Sequence, residues 1–388
     1  MSCFRLLLMS VQSILLLLTN YVGLVLNVFK SFGMRDGETS LKVDANTPHL
    51  LRQIMDSVHN GDFDAEIFKR TGDDAQRVAD LLQDLLDGGK TRKLLGEVST
   101  QYNRKQACSA LVHMAESSHV HPRVFFVKVE LSSLRPECYG SVSDVYIGTY
   151  KGQKVALRSI RIRPGYGHHR IREKLVSQAL LWRQLHHPSI VPLFGVDPVT
   201  VYNAPVLVQP FVEKGNIREH VHRLGQKPDE NQLVSWLLDI ARGVEYLHDM
   251  GIHHGDLRGN NICLSDDGVA QVNDIVLTQF HEEWSEASPH ANGRPGRWMA
   301  PEYLNSSIPT FEADVFSFGF VAIELYTGEI PSPEFSDDDF IDRTCSGVFP
   351  SMPHSISAAV WTLVNGCWML EPSSRPSMKS VVESLRSV

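Results

Sequence analysis

The residues best suited to chemistry lie in one short run, at positions 254–261, and at Asp274, thirteen residues beyond its end. The run reads His-Gly-Asp-Leu-Arg-Gly-Asn-Asn, so it carries the carboxylate of Asp256 and the amide of Asn261. A carboxylate can accept a proton from a hydroxyl group, and carboxylate and amide oxygens are donors that suit Mg²⁺. Which of these roles each residue takes depends on the wider pattern of the chain.

The elements that must position this run are predicted from hydrophobic periodicity and turn residues. Residues 142–150 alternate in polarity, Lys151-Gly152 supplies a turn and 155–160 returns, which predicts a β-hairpin. The compact apolar run at 124–129 begins this strand-rich part of the chain. Further along the chain, helices are predicted at 233–248, 314–327 and 358–388.

Three apolar stripes at helical spacing precede residue 120. They cover 50–58, 78–86 and 94–114, and Asp73 or Asp74 is the expected N-cap of the second helix. Such stripes most often pack on a neighbouring domain, so packing is the first interpretation. Docking of a partner protein is the alternative.

The composition is that of an ordinary globular protein. The 388 residues include 37 Lys and Arg against 45 Asp and Glu, which gives a net charge of −8 and a pI near 6.1. A protein that neutralises phosphates is usually basic, so no nucleic-acid partner is expected. The six cysteines contain no Cys-x-x-Cys pair, which argues against a disulfide framework or a structural zinc site and suits a reducing compartment.

The first 33 residues differ in composition from the rest. Residues 6–29 carry no charge, and 24 helical residues span about 36 Å, enough for a hydrocarbon core of about 30 Å. A membrane anchor is one interpretation, and Lys30 and Arg35 would then place the C-terminal bulk in the cytosol. A signal peptide is the second, although no clean cleavage site follows. Translation that starts at Met34 is the third.

Five motifs in the C-terminal part resemble those of protein kinases. The run at 254–261 resembles the catalytic loop H-R-D-L-x-x-x-N, and Asp274 stands where the D-F-G aspartate stands. The run Trp-Met-Ala-Pro-Glu at 298–302 resembles the A-P-E region, 314–319 resembles the D-V-W-S-F-G helix start, and Arg375 resembles the arginine that pairs with the A-P-E glutamate. The motifs are most similar to the tyrosine-kinase-like group of serine/threonine kinases, including branches abundant in fungi.

The resemblance covers 124–388 and implies an α+β, bilobal protein-kinase fold. A small lobe of antiparallel strands with one helix and a large helical lobe are expected, with the earlier helices beside or behind the small lobe. The predicted domains are a hydrophobic segment at 1–33, a linker and helical region at 34–120, and the kinase domain at 124–388. We expect a monomer with a cytoplasmic kinase domain, whose partner is a protein substrate or a signalling protein.

By the same resemblance, the catalytic residues are Asp256, Asn261 and Arg258. Asp256 would accept the proton of the substrate hydroxyl, and Asn261 and Asp274 would hold Mg²⁺. Val145, Ala156 and Cys263 would sandwich adenine, and 207–212 would supply hinge backbone groups around a Gln209 gatekeeper. The residues that the resemblance assigns to the ATP site are Gly140, Val145, Ala156, Arg158, Gln178, Gln209, Pro210, Val212 and Cys263.

Several positions depart from the kinase pattern. The glycine loop maps onto Cys138, Gly140 and Ser143, so one glycine of three remains. Arg158 stands at the lysine position and Gln178 at its glutamate partner, which removes an ion pair but leaves a hydrogen bond between them open. Three further replacements are Val276 for the D-F-G glycine, Pro295 for a substrate-side threonine and Gly255 for the arginine that reads an activation-loop phosphate.

Two functions remain open on this sequence. In the first, the protein transfers the γ-phosphoryl group of ATP to protein serine or threonine with weakened activity, because each lost electrostatic contact costs on the order of 10²–10³ in rate. In the second, it is a pseudokinase, a scaffold or partner-binding module whose nucleotide sets its affinity for partners.

Overall fold

The computed structural model describes residues 41, 43–95, 104–139, 143–161, 168–201, 204–225, 227–275, 296–306 and 308–388. These residues belong to two compact units. The first extends through the N-terminal helices to Tyr139 and includes Ser143–Gln184 and Phe194–Gln209, while the second contains Leu185–Leu193 and Pro210–Val388. The first unit holds the larger sheet and the second is mainly helical. The α+β class and the two-lobed arrangement that the resemblance implied are therefore confirmed.

The sheet of the first unit contains six strands among the described residues. They are β1 (Glu130–Leu131), β2 (Cys138–Tyr139), β3 (Ser143–Tyr150), β4 (Gln153–Ile160), β5 (Gly195–Val201) and β6 (Ala204–Pro210). Their order is β1-β3-β4-β6-β5, with β2 also beside β3. The core on one face of the sheet includes Tyr146, Val155, Leu157, Val206 and Val208.

Strands β3 and β4 form the predicted hairpin. Tyr150 pairs with Gln153, so the turn has two residues, Lys151 at φ 49° and Gly152 at φ 77°. Two consecutive positive φ angles are what a type I′ turn requires, and this turn matches the right-handed twist of the strands it joins. The expected hairpin and its turn are therefore both confirmed.

The apolar run at 124–129 is not a strand, although its residues alternate in burial as strand residues do. Arg123–Phe125 forms a turn of 3₁₀ helix, and Phe126 makes a single parallel bridge to Val196. The ladder stops there because the amide of Val129 donates to the side chain of Asp197, 3.0 Å away, rather than to a backbone carbonyl. A polar side chain has replaced the next backbone partner.

Five helices accompany the sheet: α1 (Thr47–Asn60), α2 (Gly72–Leu86), α3 (Lys90–Leu95), α4 (Arg104–Ser118) and α5 (His168–Arg183). The N-cap of α2 is Thr71, so the expectation of Asp73 or Asp74 was wrong by two or three residues. Both aspartates lie in the first turn, where a negative charge interacts favourably with the helix dipole. The stripe at 94–114 falls on two separate helices, α3 and α4.

The second unit contains a small hairpin and seven α-helices among its described residues. Its elements are α6 (Ile217–Arg223), α7 (Glu230–Asp249), β7 (Ile262–Leu264), β8 (Ala270–Val272), α8 (Pro301–Ser306), α9 (Phe311–Thr327), α10 (Asp337–Cys345), α11 (Ala358–Cys367) and α12 (Met378–Leu385). Every residue of 313–326 is buried, so α9 is the central helix of this unit.

The predicted helical stretch at 358–388 is interrupted. Helices α11 and α12 are separated by a turn of 3₁₀ helix at Pro372–Ser374. Pro372 and Pro376 lack the amide hydrogen that a continuous helix needs, which accounts for the interruption. The other predicted helices, at 233–248 and 314–327, are confirmed as α7 and α9.

Within the described ranges, no helix combines the length and the apolar character needed to span a membrane. The anchor predicted at 6–29 lies outside the described residues, as do Gly140, Val276 and Pro295.

Candidate active site

The hairpin of β7 and β8 brings two of the predicted metal ligands together. Ile262 pairs with Val272, so Asn261 immediately precedes one strand and Asp274 closely follows the other. The amide of Asn273 donates to the carbonyl of Asn261 over 2.8 Å, which extends the ladder by one step. Antiparallel pairing therefore places Asn261 beside the residue that precedes Asp274.

The side chain of Asn261 is held against Asp256. Its Nδ2 donates to the Asp256 carbonyl and to Asp256 Oδ2, each at 2.8 Å. Because Nδ2 is used in this way, the amide oxygen of Asn261 is the atom left to act as a hard ligand. Arg258 Nε lies 3.3 Å from Asp256 Oδ2, so the predicted base has a cationic neighbour as well.

Asp314 supports the backbone that carries the predicted base. It accepts hydrogen bonds of 2.7 Å from the amides of His254 and Gly255, and His248 Nε2 lies 2.9 Å from its Oδ2. Burial alone would raise the pKa of Asp314, but the hydrogen bond with His248, the electrostatic interactions with His248 and His254 and the Gly255 amide outweigh it. The pKa therefore lies below its ordinary value, and Asp314 is a buried anion.

His254 joins the two halves of the site. This fully buried residue has Nε2 2.8 Å from the carbonyl of Asn273, and its Nδ1 accepts the amide of Asp256 over 3.1 Å. The imidazole thus connects the loop that carries Asp256 to the residue before Asp274. Gly255 follows at φ 75°, a conformation that glycine adopts without steric cost.

Glu324 is a supporting residue that the sequence reasoning missed. It accepts the amide of Gly259 at 2.8 Å and the indole nitrogen of Trp298 at 2.9 Å. Burial is the main influence on its pKa and raises it above the ordinary value. An acidic residue inside the apolar run at 318–326 was the available signal, because such a residue needs partners when it is buried.

The predicted pair of Glu302 and Arg375 is present. Arg375 Nη1 and Nη2 donate to the two carboxylate oxygens of Glu302 at 2.6 and 2.9 Å, with the arginine side chain fully buried. This bidentate geometry connects α8 to the segment before α12. The pairing was predicted from the motifs, and the structure confirms it.

Asp274 has an unusual backbone. Its φ is 63°, in the left-handed region that non-glycine residues rarely occupy. The residue is buried, with 8% of its surface exposed. Such conformations occur often at functional sites, because the surrounding structure must hold them in place.

The predicted ATP residues of the first unit include three on one face of the β3–β4 hairpin. Val145 pairs with Arg158 and Ile147 with Ala156, so these side chains share the half-buried face opposite the core. Gln209, the predicted gatekeeper, is buried near the end of β6. Pro210, Val212 and Cys263 belong to the second unit, where the Cys263 thiol accepts from Asn273 Nδ2 at 3.5 Å.

Arg158 and Gln178 do not form the hydrogen bond that the sequence left open. Arg158 Nη1 instead donates to Ser143 Oγ at 3.1 Å, and Ser143 is 1% exposed. Gln178 Oε1 is buried and accepts no hydrogen bond from any residue that the structure describes. The guanidinium therefore turns toward the start of β3, where Ser143 provides an acceptor that a glycine would lack.

The donor set at the β7–β8 hairpin fits magnesium rather than zinc. No group of three or more His, Cys, Asp or Glu side chains that could hold a metal occurs in the described part of the chain. One carboxylate from Asp274 and one amide oxygen from Asn261 are a sparse, all-oxygen set. Mg²⁺ accepts such a set because it retains waters and binds substrate phosphates for its remaining positions.

Comparison with known proteins gives one family and several relatives. Residues 137–385 match the family described as protein tyrosine and serine/threonine kinase. Tyrosine-protein kinase csk-1 of Caenorhabditis elegans is 32% identical over 255 residues, which cover 64% of this chain and 46% of that protein. Megakaryocyte-associated tyrosine-protein kinase of Mus musculus is 29% identical over 248 residues, covering 63% and 46%.

A plant protein is similar over a comparable length. Serine/threonine/tyrosine-protein kinase HT1 of Arabidopsis thaliana is 30% identical over 259 residues, which cover 63% of each chain. The aligned part of this chain thus spans less than two thirds of the length of these relatives.

Proposed function

Because the chain belongs to the family of protein tyrosine and serine/threonine kinases, we propose that it transfers the γ-phosphoryl group of ATP to serine or threonine hydroxyls of proteins. The proposed activity depends on Mg²⁺ and is weaker than that of a kinase with complete motifs. The observation that carries the proposal is the linked arrangement of Asp256, Asn261 and Asp274 around the β7–β8 hairpin.

In this proposal, Asp256 accepts the proton of the attacking hydroxyl. The hydrogen bond from Asn261 and the ion pair with Arg258 both reach Oδ2, so they orient the carboxylate that must receive the proton. Asn261 and Asp274 would hold the magnesium ion, which when bound neutralises charge that spreads over the phosphate oxygens. Asp314 keeps the loop in position by accepting two of its backbone amides.

The proposal of reduced activity rests on the hydrogen bonding of Arg158 and Gln178. The direct bond from Arg158 to Ser143 means that the guanidinium is oriented without help from Gln178. An arginine fork is larger than a lysine ammonium and places its charge differently against a phosphate. Loss of one well-placed electrostatic contact costs on the order of 10²–10³ in rate, which leaves room for measurable transfer.

The acceptor hydroxyl is proposed to be serine or threonine, on the similarity of the motifs to the tyrosine-kinase-like group. The relatives include proteins named as tyrosine kinases and one named as a serine/threonine/tyrosine kinase, so the point needs a direct test. The purified protein would be incubated with radiolabelled ATP, Mg²⁺ and a mixture of protein substrates, and the labelled amino acids identified after hydrolysis. Label on tyrosine alone would contradict the assignment.

A second candidate function is a pseudokinase scaffold, and the Gln178 oxygen, which accepts no hydrogen bond from the described residues, favours it. The two candidates are separated by an autophosphorylation assay with Asp256→Asn as control, because this variant keeps the shape of the side chain but removes the base. Transfer by the wild type that the variant lacks supports the kinase. Thermal stabilisation by ATP and Mg²⁺ without any transfer supports a nucleotide-responsive scaffold.

The remaining proposals concern the cellular location, the oligomeric state and the partners of the protein. We propose that the kinase domain acts in the cytosol as a monomer and that its partners are protein substrates or signalling proteins. Anchoring through 6–29 is part of this proposal if that segment is translated.

A further inference from the structure

The C-terminal part of helix α5, which carries Gln178, has no exposed residue. No residue at positions 175–185 is exposed, including the polar residues Ser177 and Gln184. A helix that covers one face of a sheet normally leaves a polar stripe in solvent, whereas one buried all round has neighbours on every side. The neighbours of α5 among the described residues include strand β5 and helix α4. Helices α1, α2 and α4, here called the helical layer, therefore belong to the structure that holds α5.

A buried amide pair joins the helical layer to the end of α5. Gln83 Nε2 donates to Gln184 Oε1 at 3.0 Å, and Gln184 Nε2 donates back to Gln83 Oε1 at 2.9 Å. Both side chains are 0% exposed. The second hydrogens are also used, by Asp87 Oδ1 at 2.9 Å and by the Leu180 carbonyl at 3.0 Å. A fully satisfied buried pair of this kind defines one position for the two helices, because any sliding would leave amide groups unpaired.

Two arginines reinforce this junction. Arg104 donates to the carbonyl of Leu86 at 2.6 Å and to that of Gln184 at 2.8 Å, so one guanidinium connects the C-terminal ends of helices α2 and α5. Arg183 Nη1 and Nη2 each lie 3.2 Å from one carboxylate oxygen of Asp87. A cation at a helix C-terminus interacts favourably with the helix dipole. It can also donate hydrogen bonds to the last carbonyl groups, which have no partner within the helix.

The side chain of Gln178 lacks a corresponding contact at its amide oxygen. Arg158 is directed to Ser143, and Gln178 Oε1 has no hydrogen-bond partner among the described residues. The sequence replaces the ion pair of the kinase pattern at these positions, and the hydrogen bond that it left open between Arg158 and Gln178 does not form. The strong polar contacts of α5 described above all come from the helical layer.

We propose that the helical layer takes over from the missing ion pair and sets the position of α5 in this protein. Gln83, Gln184 and Arg104 are then positioning residues that act on nucleotide binding through α5. The nucleotide part of this inference rests on the proposed function, whereas the position and rigidity of α5 can be measured without any nucleotide.

The test compares Gln83→Leu in two backgrounds, the wild type and the Arg158→Lys/Gln178→Glu variant that rebuilds the ion pair. Gln83→Leu removes both hydrogen bonds that the buried Gln184 amide makes across the junction, so hydrogen exchange of the backbone amides at 175–183 should be faster by about tenfold in the wild-type background. In the repaired background the increase should be threefold or less, because the ion pair holds α5 independently of the Gln83–Gln184 pair. Gln53→Leu, on the exposed face of α1, is the matched control and should change neither rate.

Two further variants keep the comparison decisive. The double change Gln83→Leu/Gln184→Leu leaves no amide without its cross-junction partner, but α5 still loses the pair that fixes its position, so its exchange should be slower than in Gln83→Leu and faster than in the wild type. If Gln83→Leu does not fold, Arg104→Lys, which can reach only one of the two carbonyls, should give about a threefold increase under the same comparison. Equal increases in both backgrounds, or no increase in a folded Gln83→Leu protein, would overturn the inference.

The affinity for ATP with Mg²⁺ provides the second readout. Gln83→Leu should weaken it several-fold in the wild-type background and less in the repaired one, with no matching difference in thermal stability between the backgrounds. If the wild type shows no ATP binding, the proposed function fails, while the exchange comparison still decides the inference about α5.

Discussion

The side-chain amide of Asn261 donates two hydrogen bonds to Asp256, one to its carbonyl and one to its carboxylate, each 2.8 Å long. This relationship ties the predicted base to a predicted metal ligand. If one side chain moves, the other loses its orientation, so the two should behave as a unit in kinetic measurements.

Replacement of Asn261 tests this coupling. Asn261→Ala removes a proposed magnesium ligand and the bonds that orient Asp256, so phosphoryl transfer should fall by 10²-fold or more. Adding Asp256→Asn should reduce the rate little further, because the two residues act together. The neighbouring Asn260 is exposed, and Asn260→Ala is the matched control with an expected change of less than about twofold. Independent, multiplicative losses would contradict the coupling.

Rebuilding the ion pair tests the reason for reduced activity. Arg158→Lys with Gln178→Glu should raise turnover by ~10²-fold, because a compact ammonium held by a carboxylate can position the phosphates. Each single change should do less, since it supplies only half of the pair. Asp256→Asn added to the repaired protein must abolish the gain. A repaired protein that binds ATP no better and transfers nothing would favour the scaffold function.

His121 should make the folded protein sensitive to acid. Burial is the main cause that lowers its pKa from 6.5 to about 4, and both ring nitrogens are buried without a hydrogen-bond partner among the described residues. The unfolded chain therefore takes up a proton at higher pH than the folded one. The free energy of unfolding is therefore not reduced by His121 above pH 6.5. It decreases as the pH falls toward 4, by on the order of 3 kcal/mol.

The corresponding experiment is urea unfolding across pH 4–8. His121→Phe should flatten the pH dependence in that window, since phenylalanine does not titrate and can pack against Phe125 and Phe126 as the imidazole does. His59→Phe, on the exposed end of α1, is the control and should keep the wild-type profile. An unchanged slope in His121→Phe would show that another group causes the acid sensitivity.

The pair of Glu302 and Arg375 should be important for stability. Glu302→Ala leaves a fully buried guanidinium without its carboxylate, and loss of one partner of a buried pair typically costs about 3–5 kcal/mol. Glu302→Gln should cost less, because the amide oxygen can still accept one hydrogen bond. Chemical denaturation measures both, with Glu383→Ala on the exposed face of α12 as control. A cost below 1 kcal/mol for Glu302→Ala would contradict the importance assigned to this pair.

The predicted anchor at 6–29 requires a test on cells or membranes. If this segment is translated and spans a membrane, the protein should remain in the membrane pellet after extraction with alkaline carbonate. Deletion of residues 1–33 should release it to the soluble fraction. Recovery of a soluble protein whose first residue is Met34 would rule out the anchor.

Several elements of both units were predictable from local sequence. The turn at Lys151-Gly152, the helices at 233–248 and 314–327 and the Glu302–Arg375 pair were all anticipated, because each depends on residue types at short spacing or on a recognisable motif. Helix ends and the 124–129 run were predicted less well. There the outcome depended on one side chain, such as that of Asp197, competing with backbone partners.

The sequence by itself determined the kinase-like order of motifs, the α+β class and the residues at which the motifs are altered. Only the tertiary structure decided that Arg158 bonds to Ser143 rather than Gln178, that Glu324 supports the catalytic run, and that Gln83 locks to Gln184. The physical reason is distance along the chain. Hydrophobic periodicity and turn chemistry are local, whereas the Gln83–Gln184 pair joins residues 101 positions apart and forms only once the helices have packed.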